Sequence, residues 1–235
     1  MIKGLDSNFK MSFSQNRVYC DCPKKYEFRY LKKIPEPSNP YLDLGNAIHL
    51  LCEHHFYAFP KSITQEELIK AKELVISDRG QLYYDQLSSE LAEFFNNKTM
   101  LFNEHKFEND DFVCKVDTAY RYLDGICVAD FKVTKKPKTV DSVFDEGQLL
   151  LYSNMLRNSQ EYHDEKIYVQ YINILSYRAD KIVTTTAPMS LSDEVCQNFV
   201  DGMSSNMEAI NNRIFPKKTK YCKWCYYKDM CDTIL

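Results

Sequence analysis

The sequence lacks long hydrophobic runs and a strong net charge of either sign. No stretch approaches the roughly 20 consecutive apolar residues that a membrane-spanning helix needs, and the N-terminus has no apolar signal core. The 235 residues carry a net charge of −3, so the overall balance does not indicate a nucleic-acid binder. Internal repeats and low-complexity tracts are also absent. These absences favour a soluble globular protein, which we expect in the cytoplasm.

Cysteine, by contrast, is abundant. Nine cysteines would be typical of a secreted disulfide framework, but the number is odd and there is no signal peptide. Cys222, Cys225 and Cys231 form a C-x2-C-x5-C pattern, which places three thiolates close together and requires a fourth ligand from elsewhere. The candidates for the fourth are Cys22 or, failing that, Cys20. Four thiolates suit either a tetrahedral zinc ion or an iron–sulfur cluster.

Basic residues are concentrated in three groups, at residues 24–33, 132–138 and 217–223. Such groups are typical of solvated faces. Where they lie near a candidate site, they can also follow a phosphate backbone. The charge distribution therefore leaves a nucleic-acid partner open, although the net charge does not favour one.

Hydrophobic periodicity predicts an α/β core with a mixed central sheet and helices on its faces. Helices are predicted at 12–31 with a break near Cys22, at 42–58, at 64–96 with a break near Gly80, at 143–156 and at 191–212 with an end at Pro216. Strands are predicted at 100–107, on both sides of Asp124-Gly125, at 166–175 and at 181–186. We expect one domain over 1–235, divided into N-terminal helices (11–60), a helical insert (61–98), a catalytic core (99–190) and a C-terminal helix with a metal-cluster tail (191–235).

The densest chemical pattern lies on the two strands that Asp124-Gly125 separates. This dipeptide is a strong hairpin signal, and a hairpin brings Asp117 back beside Asp130, about one strand spacing away. Lys132 lies two residues beyond Asp130 on the same strand face. Two carboxylates with an adjacent ammonium form a hard-oxygen site for a divalent cation, suited to attack on a phosphodiester.

Three further polar side chains are candidates by position. His49 lies on an apolar helix face, where it is either a metal ligand or a packed helix residue. Gln148 and Tyr152 are four residues apart on the helix that follows the Asp130-Phe131-Lys132 strand, so they share a face. From that face they can orient the lysine or a DNA phosphate.

Several motifs occur in a fixed order along nearly the whole chain. They are Ser14 followed by Tyr19-x2-Cys22-Pro23-x2-Tyr26-x3-Tyr30, Gly45-x3-His49, Asp117, Asp130-Phe131-Lys132, Gln148-x3-Tyr152 and Cys222-x2-Cys225-x5-Cys231. This order resembles that of RecB-like nucleases of the PD-(D/E)XK superfamily, whose restriction-endonuclease-like core is the fold we expect. More narrowly, it is similar to the iron–sulfur branch, which includes CRISPR-associated RecB-type exonucleases and the AddB nuclease domain. In one departure, Cys114-Lys115-Val116 replaces the glycine common before the first acidic residue.

The resemblance implies a role for each matching residue of the cleavage centre. Asp117 and Asp130 would bind the catalytic Mg²⁺ or Mn²⁺ together with the backbone carbonyl of Phe131, and His49 would be a further metal ligand. Lys132 would position or activate the attacking water and stabilise the charge that develops on the phosphate.

The resemblance also implies supporting residues and a second metal centre. Gln148 and Tyr152 match a helix motif that supports the site and contacts DNA. Glu104 lies where many relatives carry an acidic residue and is a further candidate. The ligands implied for a [4Fe–4S] cluster, with zinc as the alternative occupant, are Cys22, Cys222, Cys225 and Cys231. Because these ligands join the two ends of the chain, we expect the cluster to be structural.

The function that we predict is metal-dependent cleavage of DNA, by an exonuclease acting on single-stranded or frayed ends in a bacterium, an archaeon or a phage-infected host. Two alternatives stay open: a non-catalytic DNA-binding or assembly module on the same fold, and a zinc-ribbon-like interaction protein. The sequence has no helicase motif, which indicates a stand-alone nuclease or a subunit of a larger recombination, repair or CRISPR machine.

Overall fold

The structure, a computed structural model, describes residues 9–37, 39–54 and 64–232. The end of the helix predicted over 42–58 lies outside the described residues. Among the helices that are described, none is long and apolar enough to cross a membrane.

The chain forms two compact units. The cysteine unit combines Met1–Pro37, Glu108–Cys114 and Gln197–Leu235, and the sheet unit combines Ser38–Phe107 and Lys115–Cys196. The four-part division of a single domain that the sequence suggests stays a prediction.

Seven strands form one mixed sheet, which confirms the predicted α/β class. The strands are β1 (Met11–Ser12), β2 (Met100–Glu108), β3 (Phe112–Tyr122), β4 (Gly125–Thr134), β5 (Lys166–Leu175), β6 (Val183–Thr185) and β7 (Met189–Ser190). Their order is β1-β3-β4-β5-β6, with β2 beside β3 and β7 beside β5. The β4–β5 pair is parallel, whereas β3–β4 and β5–β6 are antiparallel.

Helices flank this sheet. They are α1 (Phe13–Asp21), α2 (Pro23–Tyr26), α3 (Pro40–His54), α4 (Gln65–Arg79), α5 (Gln81–Asn96), α6 (Ser142–Glu146), α7 (Gln148–Arg157), α8 (Asp193–Asn211) and α9 (Lys228–Asp232), with a π-helical turn at Glu27–Leu31 and a 3₁₀ turn at Cys222–Trp224. Helix α8 ends before Pro216, and Arg213 follows it in a left-handed conformation with φ 60°. The proline is therefore not what stops this helix.

The core of the sheet unit explains why β4 and β5 are almost continuously apolar. Residues of β4 from Gly125 to Phe131 are buried, and so are those of β5 from Ile167 to Leu175, because helices cover both faces of strands at the centre of such a sheet. On one face the core includes Ile48 and Leu51 of α3 and Leu87 of α5. The helices thus fix β5 and its neighbour β4, the strand that carries Asp130 and Lys132.

The hairpin of β3 and β4 places the two predicted carboxylates opposite each other. Its register pairs Thr118 with Ala129. One residue further along each strand, Asp117 lies opposite Asp130. The predicted juxtaposition of these residues is confirmed.

The turn of this hairpin differs from the prediction by one residue. Tyr122 pairs with Gly125, so the turn consists of Leu123 and Asp124, and Leu123 adopts a left-handed φ of 50°. Gly125 instead begins β4, where a Cβ atom would lie 2.0 Å from the carbonyl oxygen of Lys166. Close packing of β4 against β5, and not the turn conformation, therefore requires glycine here.

The helical region before the sheet has the predicted boundaries. Thr64 and Glu67 form a capping box, in which the Glu67 carboxylate accepts a hydrogen bond of 2.8 Å from the Thr64 N–H. Gly80, with φ 89°, separates α4 from α5. Both helix signals, the cap and the glycine break, are confirmed.

The single helix predicted over 143–156 is wrong, because Gly147 divides it. Gly147 has a left-handed φ of 79°, and its N–H donates to the Val143 carbonyl at 3.0 Å, which ends α6. Helix α7 then begins at Gln148. The break therefore places one of the candidate site residues at a helix start.

In the cysteine unit, Pro23 breaks the first helix as predicted. Cys22 is extended, with φ −162°, and Pro23 occupies the first position of α2, where its missing N–H is tolerated. Aromatic side chains join this region to the C-terminal segment. The Tyr19 hydroxyl donates to the Ile214 carbonyl at 2.7 Å, and the Tyr227 hydroxyl donates to the Ile34 carbonyl at 2.8 Å.

Candidate active site

The two carboxylates and the lysine meet in the sheet unit with direct contacts. Asp117 Oδ2 accepts a hydrogen bond of 2.8 Å from the backbone N–H of Phe131, which fixes the carboxylate beside the strand that carries Asp130. Lys132 Nζ lies 2.6 Å from Asp130 Oδ2. Asp117 and Asp130 are both buried. The hairpin thus brings together a buried acidic pair and an ammonium.

A chain of hydrogen bonds positions the lysine. Lys132 Nζ donates to Gln148 Oε1 at 2.7 Å, and Gln148 Nε2 donates to the Tyr152 hydroxyl at 2.7 Å. The Tyr152 hydroxyl in turn donates to the Lys115 carbonyl at 2.7 Å. Because Lys115 belongs to β3 and Lys132 to β4, helix α7 connects the two strands of the hairpin through side chains.

His49 and Glu104 lie beside Asp117. His49 Nδ1 is 3.7 Å from Asp117 Oδ2, and its ring meets the Phe131 ring edge-on at a centroid distance of 5.9 Å. One ligand atom from each of His49, Glu104 and Asp117 lies within 4.8 Å of the others. Imidazole and carboxylate ligands suit divalent ions such as Mg²⁺ and Mn²⁺ when carboxylates predominate.

Burial and neighbouring charges shift the pKa values of this site. Burial raises the pKa of Asp117 well above its usual value, and the charges of Asp130 and Glu104 raise it further. Burial opposes the ammonium of Lys132, but the charge and hydrogen bond of Asp130 outweigh burial and raise the pKa of Lys132. Burial lowers the pKa of His49, so its neutral form, the form that binds metals, is favoured. A divalent cation would relieve the repulsion among the carboxylates, so the donor set fits one.

Four cysteines line a separate cavity in the cysteine unit. The cavity has a volume of about 190 Å³, and the cysteines that line it are Cys22, Cys222, Cys225 and Cys231. Cys20 does not line this cavity; its sulfur contacts Asn206 Nδ2 at 3.2 Å. The geometry therefore places Cys22, and not Cys20, with the three C-terminal cysteines.

Comparison with known proteins decides the family. A profile described as the PD-(D/E)XK nuclease superfamily matches residues 10–232. This chain belongs to that superfamily. A search of curated proteins found no match.

Among solved structures, one shares the fold of this member of the PD-(D/E)XK superfamily. A protein of Eubacterium rectale, provisionally named an exonuclease, aligns with a TM-score of 0.58 at 14% identity, over 94% of this chain and 87% of that one. A phage-related exonuclease from Haemophilus somnus 129PT aligns with a TM-score of 0.35 at 14% identity, over 88% and 96%. At these identities the first likeness shows the fold alone.

Two residues of the candidate site carry weaker sequence signals than the motifs. Glu104 lies within β2 and has a left-handed φ of 50°, a conformation that no sequence pattern predicts. Its carboxylate forms an ion pair with the Lys115 ammonium. Lys115 therefore holds Glu104 through its side chain and Tyr152 through its carbonyl. The acidic type at position 104 was the only signal for this arrangement.

Proposed function

We propose that the chain is a metal-dependent deoxyribonuclease that removes nucleotides from single-stranded or frayed DNA ends. The observation that carries the proposal is the convergence of Asp117, Asp130 and Lys132, with His49 beside the first carboxylate. The chain belongs to a nuclease superfamily, and the resemblance of its motifs to RecB-like enzymes implies these residues as the cleavage centre. The exonuclease mode is drawn from the resemblance of the motifs to RecB-like enzymes and agrees with the provisional name of the E. rectale protein.

The residues that would hold the metal are His49, Asp117, Asp130 and the backbone carbonyl of Phe131, and we add Glu104. A bound Mg²⁺ or Mn²⁺ supplies Lewis acidity, which lowers the pKa of water and neutralises charge on the scissile phosphate. The proximity of Glu104 to His49 and Asp117 supports its inclusion. In this arrangement, the Asp130 carboxylate also holds the Lys132 ammonium, at 2.6 Å.

Lys132 acts as a charged group in the proposed reaction. Its raised pKa favours the ammonium, which donates hydrogen bonds and does not accept a proton. It therefore orients the attacking water and stabilises the negative charge that grows on the phosphate oxygens during attack. Gln148 and Tyr152 hold the ammonium in place, so they act as positioning residues.

We further propose that the four-cysteine cavity holds a [4Fe–4S] cluster that is structural. The four cysteines line one cavity, which supports a shared metal centre, and four thiolates suit either an iron–sulfur cluster or a zinc ion. The preference for a cluster rests on the resemblance of the cysteine pattern to that of the iron–sulfur branch.

A nuclease assay with defined DNA ends tests the proposed activity. End-labelled single-stranded, duplex and closed circular DNA are incubated with EDTA-treated protein, with and without added Mg²⁺ or Mn²⁺. We expect release of nucleotides from linear substrates only when metal is added. Asp117→Ala should abolish this release, whereas Asp124→Ala, at an exposed carboxylate in the hairpin turn, should not. Equal cleavage by Asp117→Ala would refute the assignment, and efficient cutting of circles would refute the exonuclease mode.

Absorbance and metal analysis of anaerobically purified protein test the cluster. We expect a broad visible absorbance and about four iron atoms per chain for a [4Fe–4S] cluster. A colourless protein with one zinc ion per chain would instead assign zinc to the four cysteines.

A further inference from the structure

The C-terminal segment of the cysteine unit presents aromatic side chains to solvent. Trp224 is 81% exposed, Tyr226 is 53% exposed and Tyr221 is 45% exposed. Large aromatic side chains are usually buried for most of their surface, so three exposed ones within six residues need a partner to cover them.

This segment is anchored, so its exposed rings have a defined position. Tyr227 is fully buried, and its ring packs on Phe28 at a centroid distance of 5.4 Å. Together with the hydrogen bond from the Tyr227 hydroxyl to the Ile34 carbonyl, this contact fixes the turn that carries Trp224. Trp224 is therefore exposed on a turn that packing and a hydrogen bond of Tyr227 anchor to the rest of the unit.

The segment is also strongly basic. Between Arg213 and Lys228 there is no Asp or Glu, and the basic residues are Arg213, Lys217, Lys218, Lys220, Lys223 and Lys228. The ammonium of Lys223 lies 5.1 Å from the Trp224 ring centroid, and that of Lys220 lies 5.1 Å from the Tyr221 ring centroid. Each of these two exposed rings thus has a cation next to it.

Lys220 and Lys223 have no carboxylate partner among the described residues. Within the described residues, no carboxylate oxygen lies within 4.0 Å of either ammonium, whereas Lys217 pairs with Asp232 at 2.5 Å. In the N-terminal group, Lys24 and Lys32 both pair with Glu27. Uncompensated positive charge therefore lies beside the exposed aromatic rings.

We propose that Trp224, Tyr221 and Tyr226, with Lys220 and Lys223, form a surface on which bases of single-stranded DNA stack. Unpaired bases stack on exposed aromatic rings while neighbouring ammonium groups contact the phosphates, and stacking needs no particular sequence. Duplex DNA hides its base faces and cannot use such rings. This inference rests on the proposed function only in assuming that the partner is DNA.

The chain contains one tryptophan, so its fluorescence reports directly on this surface. Thymidine oligonucleotides are titrated into the full-length protein in EDTA, which prevents metal-dependent cleavage, and binding is followed in parallel by anisotropy of a labelled oligonucleotide. We expect quenching of Trp224 emission that follows the anisotropy, and weaker quenching by a duplex of equal length. Saturating anisotropy with unchanged emission would overturn the proposal, as would the absence of any binding.

Two substitutions at one position separate stacking from folding. Trp224→Ala should raise the Kd for the oligonucleotide about tenfold, the effect of losing one stacked base, whereas Trp224→Phe keeps a ring and should stay close to wild type. Tyr177→Ala, at a 47% exposed aromatic of the sheet unit, is the matched control and should change nothing. Circular dichroism and Tm confirm folding. A wild-type Kd for Trp224→Ala would overturn the proposal.

Salt dependence tests the lysines, and the cleavage assay separates this proposal from the proposed function. Replacing both Lys220 and Lys223 with alanine should reduce the slope of log K against log salt by about 1.4, or about 0.7 per phosphate contact. An unchanged slope would show that these two lysines do not contact the DNA phosphates. If no metal supports cleavage but Trp224 is quenched, only the nuclease assignment fails. If cleavage proceeds without quenching, only the stacking surface fails.

Discussion

The candidate active site and the four-cysteine cavity are organised in opposite ways. In the active site, each polar side chain already has a protein partner: Asp117 a backbone N–H, Lys132 an aspartate and Gln148, and Glu104 the ammonium of Lys115. In the cavity, by contrast, the contacts are made by sulfur, which is a weak hydrogen-bond donor and acceptor. Cys22 Sγ accepts from the Lys218 N–H at 3.5 Å, and the Cys222 thiol donates to the Lys218 carbonyl at 3.5 Å.

This difference indicates which of the two sites would depend on a bound metal for its structure. Hydrogen bonds already position the groups of the active site, so a bound metal would change chemistry more than shape. Thiols are weak hydrogen-bonding groups, so a metal centre in the cavity would contribute mainly to folding.

The largest effect is expected at Lys132. Lys132→Ala should lower the rate of cleavage at least about a thousandfold, or about 4 kcal/mol, because it removes the charge beside the reacting phosphate. The matched control is Lys166→Ala, at an exposed lysine that pairs with Asp124. Single-turnover cleavage measures the rate, and circular dichroism confirms folding. Activity within tenfold of wild type would remove Lys132 from the reaction.

The next effect is expected at the cavity. Cys225→Ser should lower the free energy of unfolding by about 3 kcal/mol, comparable to the loss of a covalent crosslink, because it releases one ligand that joins the chain ends. Cys20→Ser, at an exposed cysteine of the same unit, is the control for loss of a thiol.

Denaturant unfolding and cleavage are measured on the same protein samples. We expect Cys225→Ser to lose stability while the molecules that stay folded still cleave DNA. Unchanged stability with lost activity would show that the cysteines serve catalysis, and the contrast between the two sites would then be wrong.

A smaller and opposite effect on stability is expected at Asp117. Burial and the charges of Asp130 and Glu104 raise the pKa of Asp117, so its folded carboxyl binds a proton more tightly than the unfolded one. Its contribution to stability is therefore present at low pH and is lost as pH rises from the usual range of an aspartic acid to the raised pKa. Asn cannot ionise, so the Asp117→Asn variant does not lose this stability as the pH rises.

Thermal unfolding in EDTA at neutral pH should consequently show a higher Tm for Asp117→Asn than for wild type, by about 2–4 °C for each kcal/mol of repulsion relieved. Added Mn²⁺ should raise the Tm of wild type but not of Asp117→Asn. Asp124→Asn is the control, since hydrogen bonds from Tyr168 and Lys166 lower the pKa of Asp124. An equal rise with Mn²⁺ in Asp117→Asn would place the metal elsewhere.

The smallest effect is expected at Tyr152. Tyr152→Phe deletes the hydroxyl that joins Gln148 to the Lys115 carbonyl, so Lys132 keeps its charge but loses part of its support. We expect kcat to fall about tenfold, with KM little changed, and stability to fall by about 1 kcal/mol. Tyr162→Phe, whose hydroxyl contacts Glu161, is the control. A change in KM alone would indicate that Tyr152 contacts substrate and does not position the lysine.

The sequence predicted the parts of the site that depend on strand period and on spacing. Because side chains alternate with period two, Asp117 and Asp130 share one face of the hairpin even if the turn is assigned one residue away. Their direct opposition depends on the turn at Leu123 and Asp124, since a turn at Asp124-Gly125 would place Asp117 opposite Lys132. The capping box at Thr64 and the break at Pro23 have equally local causes. The α/β class followed from the order of the elements.

Other features depend on contacts between distant residues and have no local pattern. The ion pair of Glu104 with Lys115 requires a left-handed residue within a strand. The break at Gly147 was missed because apolar periodicity continues across it, and glycine alone is a weak breaker within a helical pattern. Likewise, the requirement for Gly125 comes from β5, a strand that starts about forty residues later, and not from the turn beside it.

Substitution of Gly125 offers a way to make the stability of this fold depend more strongly on temperature. A methyl group at this position would meet the Lys166 carbonyl, so Gly125→Ala must push β4 away from β5 at the end of the strand opposite to Lys132. A strained but nearly complete strand pair holds at low temperature and separates on heating. We therefore expect Gly125→Ala to be a temperature-sensitive variant. It keeps every residue of the candidate site but unfolds at a lower temperature.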